Sequence, residues 1–176
     1  MIEFKRANEF ERGVFYTLLC QSYAGFLKVK PDYAEEFKGD WKKFDGDIYN
    51  YPDSIGKCVL ISVLNNEPIG FFSWDPRGIP EAGEIGQNCI IPAHRGKGYG
   101  KLQIQQTMEI FQMRSTRTAR VTTANHPFFD AARKMYLSCG FREVSQSFTK
   151  EYGGLILTHY EYKWLEHKDQ NDKKKK

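Results

Sequence analysis

Apolar positions along this chain change period often enough to mark out its elements before any other property is considered. Ile2 to Arg6 reads as a short strand. Asn8 with Glu11 offers a capping box for a helix whose apolar positions, Phe10, Val14 and Leu18, recur every four residues. Pro31 suits a first helical turn, and Tyr33, Phe37, Trp41 and Phe44 follow at spacings of four, four and three, the mark of a second amphipathic helix. The stretch from Asp45 to Gly56, rich in Gly, Asp, Asn, Tyr and Pro, predicts a loop. Cys58 to Leu64 and Ile69 to Trp74 are apolar runs joined through Asn65-Asn66, a hairpin signal. After a connection over Asp75 to Pro80 come a strand from Glu84 to Ile91, a glycine-rich turn from Gly96 to Gly100, and a helix with Ile104, Met108 and Phe111 on one face. Arg120 to Ala124 predicts another strand, and Phe128, Ala132 and Met135 the apolar face of another helix. Arg142 to Lys150 and Leu155 to Lys163 predict two closing strands, and no repeat or linker divides the chain.

With 176 residues, 40% of them hydrophobic, the chain can fill one sizeable core, so residues 1–165 are expected to form a single domain. A net charge of +4 raises the question of nucleic acid, but five lysines and two aspartates in Lys168 to Lys176 carry +3 of it. The body is near neutral. Residues 166–176 therefore read as a disordered, lysine-rich solubilising tail, and no nucleic-acid partner is expected. No apolar run is long enough to span a bilayer and the N-terminus lacks a signal-peptide layout, so a cytoplasmic protein with no membrane partner is expected. Cys20, Cys58, Cys89 and Cys139 are scattered singly among apolar residues, which argues against a disulfide framework or a bound metal.

Chemistry concentrates in Ile90-Ile91-Pro92-Ala93-His94-Arg95-Gly96-Lys97-Gly98-Tyr99-Gly100. Glycines between a strand and a helix leave backbone N–H groups bare at the positive end of the helix dipole, and Arg95, Lys97 and Lys101 add charge. The expected ligand is a phosphate, most simply a pyrophosphate. The nucleotide-triphosphatase loop fails because Leu102 follows Gly100-Lys101 where Ser or Thr is needed, and in the dinucleotide fingerprint the third glycine arrives one position early.

The turn resembles the acetyl-CoA signature of the GNAT superfamily, R/Q-x-x-G-x-G/A, on Arg95, Gly98 and Gly100. Ile90 and Pro92 upstream, and Ala132, Tyr136 and Cys139-Gly140-Phe141 downstream, are also similar to that family's pattern. The resemblance implies an α/β (α+β) GNAT fold, a central mixed, mostly antiparallel sheet of about seven strands flanked by about four helices. It implies an acetyl-CoA-dependent N-acetyltransferase, monomer or homodimer, with the acetyl-CoA or coenzyme A held by Cys89, Ile90, Ile91, Arg95, Gly96, Lys97, Gly98, Tyr99, Gly100 and Lys101. Many members place an Asn seven residues before the Tyr. Here Phe129 holds that position and Asn125 lies eleven before it, with His126-Pro127-Phe128-Phe129 looking like an insertion, so Asn125 is the expected cofactor contact. Arg133 and Lys134 would meet the 3′-phosphate of CoA or form the wet face of their helix.

Acetyl transfer to an amine asks for a neutral amine, a held thioester, a donor for the carbonyl oxygen and a proton for the departing thiolate. An alkyl ammonium with a pKa near ~10.4 is charged at neutral pH, so a base is useful. Glu84, eleven residues before Arg95 as in histone-type members of the superfamily, is the candidate base; the alternative is a solvated strand-end carboxylate. Tyr136 is the candidate acid, with a core tyrosine as the alternative. By the same resemblance, backbone around Cys89 to Ile91 supplies the donor for the carbonyl oxygen. The acceptor groove would draw on Tyr23, Tyr33, Trp41, Asp45, Asp47, Tyr49, Tyr51, Asp53 and Trp74, whose aromatic and acidic character suits a cationic small-molecule amine. A protein lysine or N-terminal amine as acceptor, and a CoA-binding sensor without catalysis, are alternatives these residues leave open.

Overall fold

In the computed structural model, which describes residues 1–151 and 154–164, a seven-stranded sheet runs in the order β1-β2-β3-β4-β5-β7-β6. Its strands are β1 (Ile2–Arg6), β2 (Val59–Leu64), β3 (Glu67–Asp75), β4 (Ala82–Ile90), β5 (Thr118–Ala124), β6 (Arg142–Thr149) and β7 (Leu155–Lys163). Neighbours pair antiparallel except β4 and β5, which are parallel and joined by the crossover helix α3 (Tyr99–Met113). Helices α1 (Val14–Val29) and α2 (Ala34–Asn50) pack on one face, and α3 and α4 (Asp130–Ser138) on the other. This is the mixed, mostly antiparallel sheet with four helices that the resemblance implies. The expected tail, residues 166–176, lies outside the described residues.

Adjacent phenylalanines on β3 divide the core. Phe71 joins Phe15, Leu19, Trp41, Ile61 and Cys89 beneath α1 and α2, whereas Phe72 joins Ile85, Ile104, Phe111, Val121 and Tyr136 beneath α3 and α4. Alternation at period two sends consecutive side chains to opposite faces, so a β3 buried on both sides is the continuous apolar run seen in the sequence.

Two predicted boundaries are wrong, for one physical reason. The capping box from Asn8 to Glu11 does not start α1; a 3-10 turn occupies Ala7–Glu9, where the Glu9 carboxylate accepts the Arg6 amide at 2.9 Å. The helix begins at Val14 after Gly13, whose φ is 102°. The segment 45–50 is the last part of α2 and not a loop. Buried Asp45 on that turn accepts the amides of Gly13 at 2.8 Å, Phe15 at 3.1 Å and Tyr16 at 3.3 Å. Donors left open at the start of α1 are thus satisfied by a carboxylate about thirty residues later, placed at the positive end of the helix dipole.

Candidate active site

β4 pairs with β5 only from Ala82 to Ile85, opposite Thr118 to Val121, so its last residues, 86 to 90, have no strand neighbour on that side among the described residues. A bulge helps to turn them away. Opposite β3, Phe72 faces Asn88 and Trp74 faces Ile85, which leaves one extra residue in β4, and the Ser73 hydroxyl donates to the Gln87 carbonyl at 3.0 Å. At this splayed end lies a cavity of about 560 Å³.

One end of the cavity is the glycine-rich turn. Gly98 precedes α3 with a φ of 84°, a left-handed conformation that glycine adopts without strain, and a Cβ built there meets nothing within 4 Å. At Gly100 a Cβ would come 2.8 Å from the Met135 sulfur, so the absence of a side chain lets α4 approach α3 beside the cavity. The amides of Tyr99, Gly100 and Lys101 open the helix and donate to no group among the described residues; the first intrahelical bond runs from the Leu102 amide to the Gly98 carbonyl at 3.2 Å. Those amides form a ready anion cradle at the positive end of a fifteen-residue helix. Two buried polar atoms on cavity-lining residues, Gln103 Oε1 and His94 Nδ1, also lack a partner among the described residues.

The other end is formed by Asn88 and Cys89 of β4, Tyr23 of α1, and Phe128 and Phe129 from the 3-10 turn Pro127–Phe129. Fully buried Gln103 holds β4 in place here, its amide donating to the Cys89 carbonyl at 3.1 Å, the Phe71 carbonyl at 3.2 Å and the Ser62 hydroxyl at 2.9 Å. The Tyr136 hydroxyl donates to Asn88 Oδ1 at 3.0 Å, and burial pushes its pKa up to about 12. Burial likewise pushes the Cys89 thiol up to about 11, which keeps it protonated and unsuited to carrying an acyl group.

Of the residues singled out in the sequence, Cys89, Ile90, Arg95, Gly96, Gly98, Tyr99, Gly100 and Lys101 line this one cavity. Ile91 packs against the α1–α2 core, its amide bonded to the Ile69 carbonyl at 2.9 Å. Lys97 turns back to the Ala93 carbonyl at 3.1 Å. Arg95 donates to the Ile90 carbonyl at 2.9 Å and to the Ser22 carbonyl, with its guanidinium 5.7 Å from the Phe128 ring centre, so its side chain joins protein to protein. Asn125 accepts from Arg133, which also pairs with Asp130, whereas Lys134 lines the cavity. Exposed Glu84 pairs with Asp75 and Arg120 across the sheet and lies four residues, about 13 Å, along β4 from Asn88.

The expected acceptor residues disperse. Asp45 caps α1, Trp41 is core, and Tyr49 donates to the Glu11 carbonyl at 2.8 Å. Asp47 pairs with Lys43, and Trp74 packs on the opposite face of the sheet beside Phe72. Tyr23 alone among them reaches the cavity. Asn88, Gln103, Phe128 and Phe129 were not anticipated as cavity residues; Phe128 read as helix face and Phe129 as the residue in place of the family's Asn, within an apparent insertion.

The sequence profile of the acetyltransferase (GNAT) family matches residues 17–141, which span both ends of this cavity. The chain belongs to that family. An N-acetyltransferase of Archaeoglobus fulgidus, itself uncharacterized, is 25% identical over 146 residues, covering 80% of this chain and 93% of the relative. In fold, this GNAT chain resembles a GNAT-family protein from Desulfovibrio desulfuricans with a TM-score of 0.71 at 12% identity, over 93% of this chain and 99% of the other. It also resembles a Salmonella typhimurium protein solved with its cofactor acetyl-CoA, with a TM-score of 0.54 at 22% identity, over 62% of this chain and 66% of the other. The chain is an acetyl-CoA-dependent N-acetyltransferase. No described helix is long and apolar enough to cross a membrane.

Proposed function

We propose that this GNAT protein transfers the acetyl group of acetyl-CoA to the primary amine of a small molecule by direct attack, with both substrates bound together. The observation that carries the reading is the run of open amides at Tyr99, Gly100 and Lys101, facing a cavity that continues to Asn88 and Cys89. The residues suit the ligand: these amides with Lys101 and Lys134 would hold its phosphates, and the apolar walls from Ile90, Ala132 and Met135 its pantetheine arm. When bound it supplies an activated thioester.

The chain's own groups divide the remaining work. Tyr136 stays protonated across the working range and is the proton source, provided that its hydrogen moves from Asn88 Oδ1. Glu84 lies about 13 Å along β4 from the inner end, so as base it takes the amine proton only along a chain of several waters. Tyr23, Phe128 and Phe129 wall the inner end closely, which favours a compact acceptor over an extended peptide. Four free thiols fit a reducing compartment, the cytosol.

Titration calorimetry with acetyl-CoA tests the reading. Wild type should bind, and Gly98→Glu, which adds bulk and negative charge beside the amides, should lose detectable binding. Equal affinity in the two proteins would remove the phosphate site and the function built on it. A panel of small amines and peptides, read by thiol release, then identifies the acceptor, and turnover of peptides alone would overturn the small-molecule assignment.

A further inference from the structure

The polar groups at the inner end of the cavity are unequally committed. Tyr136, which stands behind Asn88 and does not itself line the cavity, donates to Asn88 Oδ1, the Gln103 amide donates to three acceptors, and the Arg95 guanidinium is bound to two carbonyls. The Ser22 hydroxyl also lacks a partner among the described residues but is sealed from solvent. Tyr23 differs from all of these. Its ring is seated among Trp41 at 5.2 Å, Phe128 at 5.8 Å, Phe129 at 6.0 Å and Phe37 at 6.3 Å between centroids, so four aromatic neighbours restrict where its phenol can point. That phenol lies within electrostatic reach of Cys89, Tyr136 and Arg95, which places it at the inner end and not on the outer surface. Its hydroxyl makes no hydrogen bond to the described residues, yet it is not among the sealed, unpartnered atoms.

Burial raises the Tyr23 pKa well above that of an ordinary phenol, so at any working pH the group carries its hydrogen. A protonated phenol without an internal partner, held by packed rings against a cavity wall, is a donor awaiting an acceptor. Cys89 shows why that acceptor belongs to a ligand: the thiol beside it is itself protonated, and its carbonyl is already taken by Gln103. The amide nitrogen of Asn88, whose Oδ1 accepts from Tyr136, is a second donor at this end, beside the open edge of β4.

We propose that Tyr23 is a binding residue for the acyl thioester, its hydroxyl donating a hydrogen bond to the acyl carbonyl oxygen. This rests on the acetyl-CoA reading above and extends it, because it assigns to α1 a contact that distinguishes the acylated ligand from the free thiol. It also changes the meaning of the tyrosine in the expected acceptor groove: Tyr23 addresses the acyl group and not the amine.

The test compares two ligands on two proteins. Calorimetry with acetyl-CoA and with CoA, on wild type and Tyr23→Phe, should show a weakening of about three- to tenfold for acetyl-CoA and little change for CoA. Acetyl-CoA carrying 13C at the carbonyl gives a readout independent of turnover: its bound resonance should lie downfield of the free one in wild type and move back upfield in Tyr23→Phe. Equal weakening of both ligands would make Tyr23 a structural wall and overturn the proposal, as would an unchanged bound resonance. If wild type binds neither ligand, the acetyl-CoA reading itself falls, which these outcomes keep distinct. Tyr23→Phe removes one oxygen and keeps the ring packing, and a thermal melt within about 2 °C of wild type confirms that the fold survives.

Discussion

Removing the Asp45 carboxylate should destabilise the protein more than any exposed acidic substitution, because α1 then starts without an acceptor. Asp45→Ala leaves three amides behind. The Phe15 amide is buried and its orphaning costs about 1–3 kcal/mol, whereas the partly exposed Gly13 and Tyr16 amides recover water at a cost of about 0.5 kcal/mol each. The sum, about 3 kcal/mol, corresponds to a fall in melting temperature of roughly 6–12 °C for a chain of this size. Asp45→Asn keeps one oxygen but turns an NH2 group toward amide donors, so it should recover less than half of the loss. Thermal and urea unfolding followed by circular dichroism measure the effect, with Asp47→Ala, two residues on and paired with Lys43, as the control expected to change stability by less than about 1 kcal/mol. If Asp45→Ala melts within about 2 °C of wild type, the carboxylate does not hold the start of α1 and the account of that helix is wrong.

Two further outcomes concern protons. Tyr136 and Cys89 have folded pKa values raised to about 12 and about 11, so above pH 9 the unfolded chain loses these protons while the folded chain keeps them. Stability should therefore fall as pH rises from 9 toward 12, and melts of Tyr136→Phe across that window should show a shallower slope. The same burial predicts that iodoacetamide modifies Cys89 at pH 8 about a hundredfold more slowly in the folded protein than in urea, as peptide mass spectrometry can follow; similar rates would contradict a buried, protonated thiol.

The sheet and α3 were legible because their signals are local: apolar alternation, an Asn-Asn turn and glycines at a strand-to-helix junction. The glycine-rich end of the cavity could be read for the same reason, since its turn is one continuous segment. The end of α2 was hidden by composition. Gly46, Asp47 and Asn50 suggest a loop, yet Ile48 continues the spacing from Phe37, Trp41 and Phe44, and that continuation was the available signal. No local pattern could reveal that Asp45 belongs to the start of α1, because its partners lie about thirty residues earlier. The inner end of the cavity is harder still, for it combines α1, β4, α4 and an inserted turn.

That combination depends on the arginine of the turn in a way its motif does not suggest. Arg95 reaches the Ile90 carbonyl at the end of β4 and the Ser22 carbonyl within α1, and lies against Phe128 of the inserted turn. A planar guanidinium with several donors can serve two carbonyls and a ring face at once, whereas a lysine ammonium on a flexible stem would hold only one of them well. The residue next to Ser22 is Tyr23, so the side chain that begins the glycine-rich turn also sets the height of α1 over the inner end of the cavity. Movement of the turn must then be felt at Tyr23. Arg95→Lys should accordingly weaken discrimination between acetyl-CoA and CoA while leaving the open amides of α3 intact; if that discrimination is unchanged in calorimetry, the two ends of the cavity are independent.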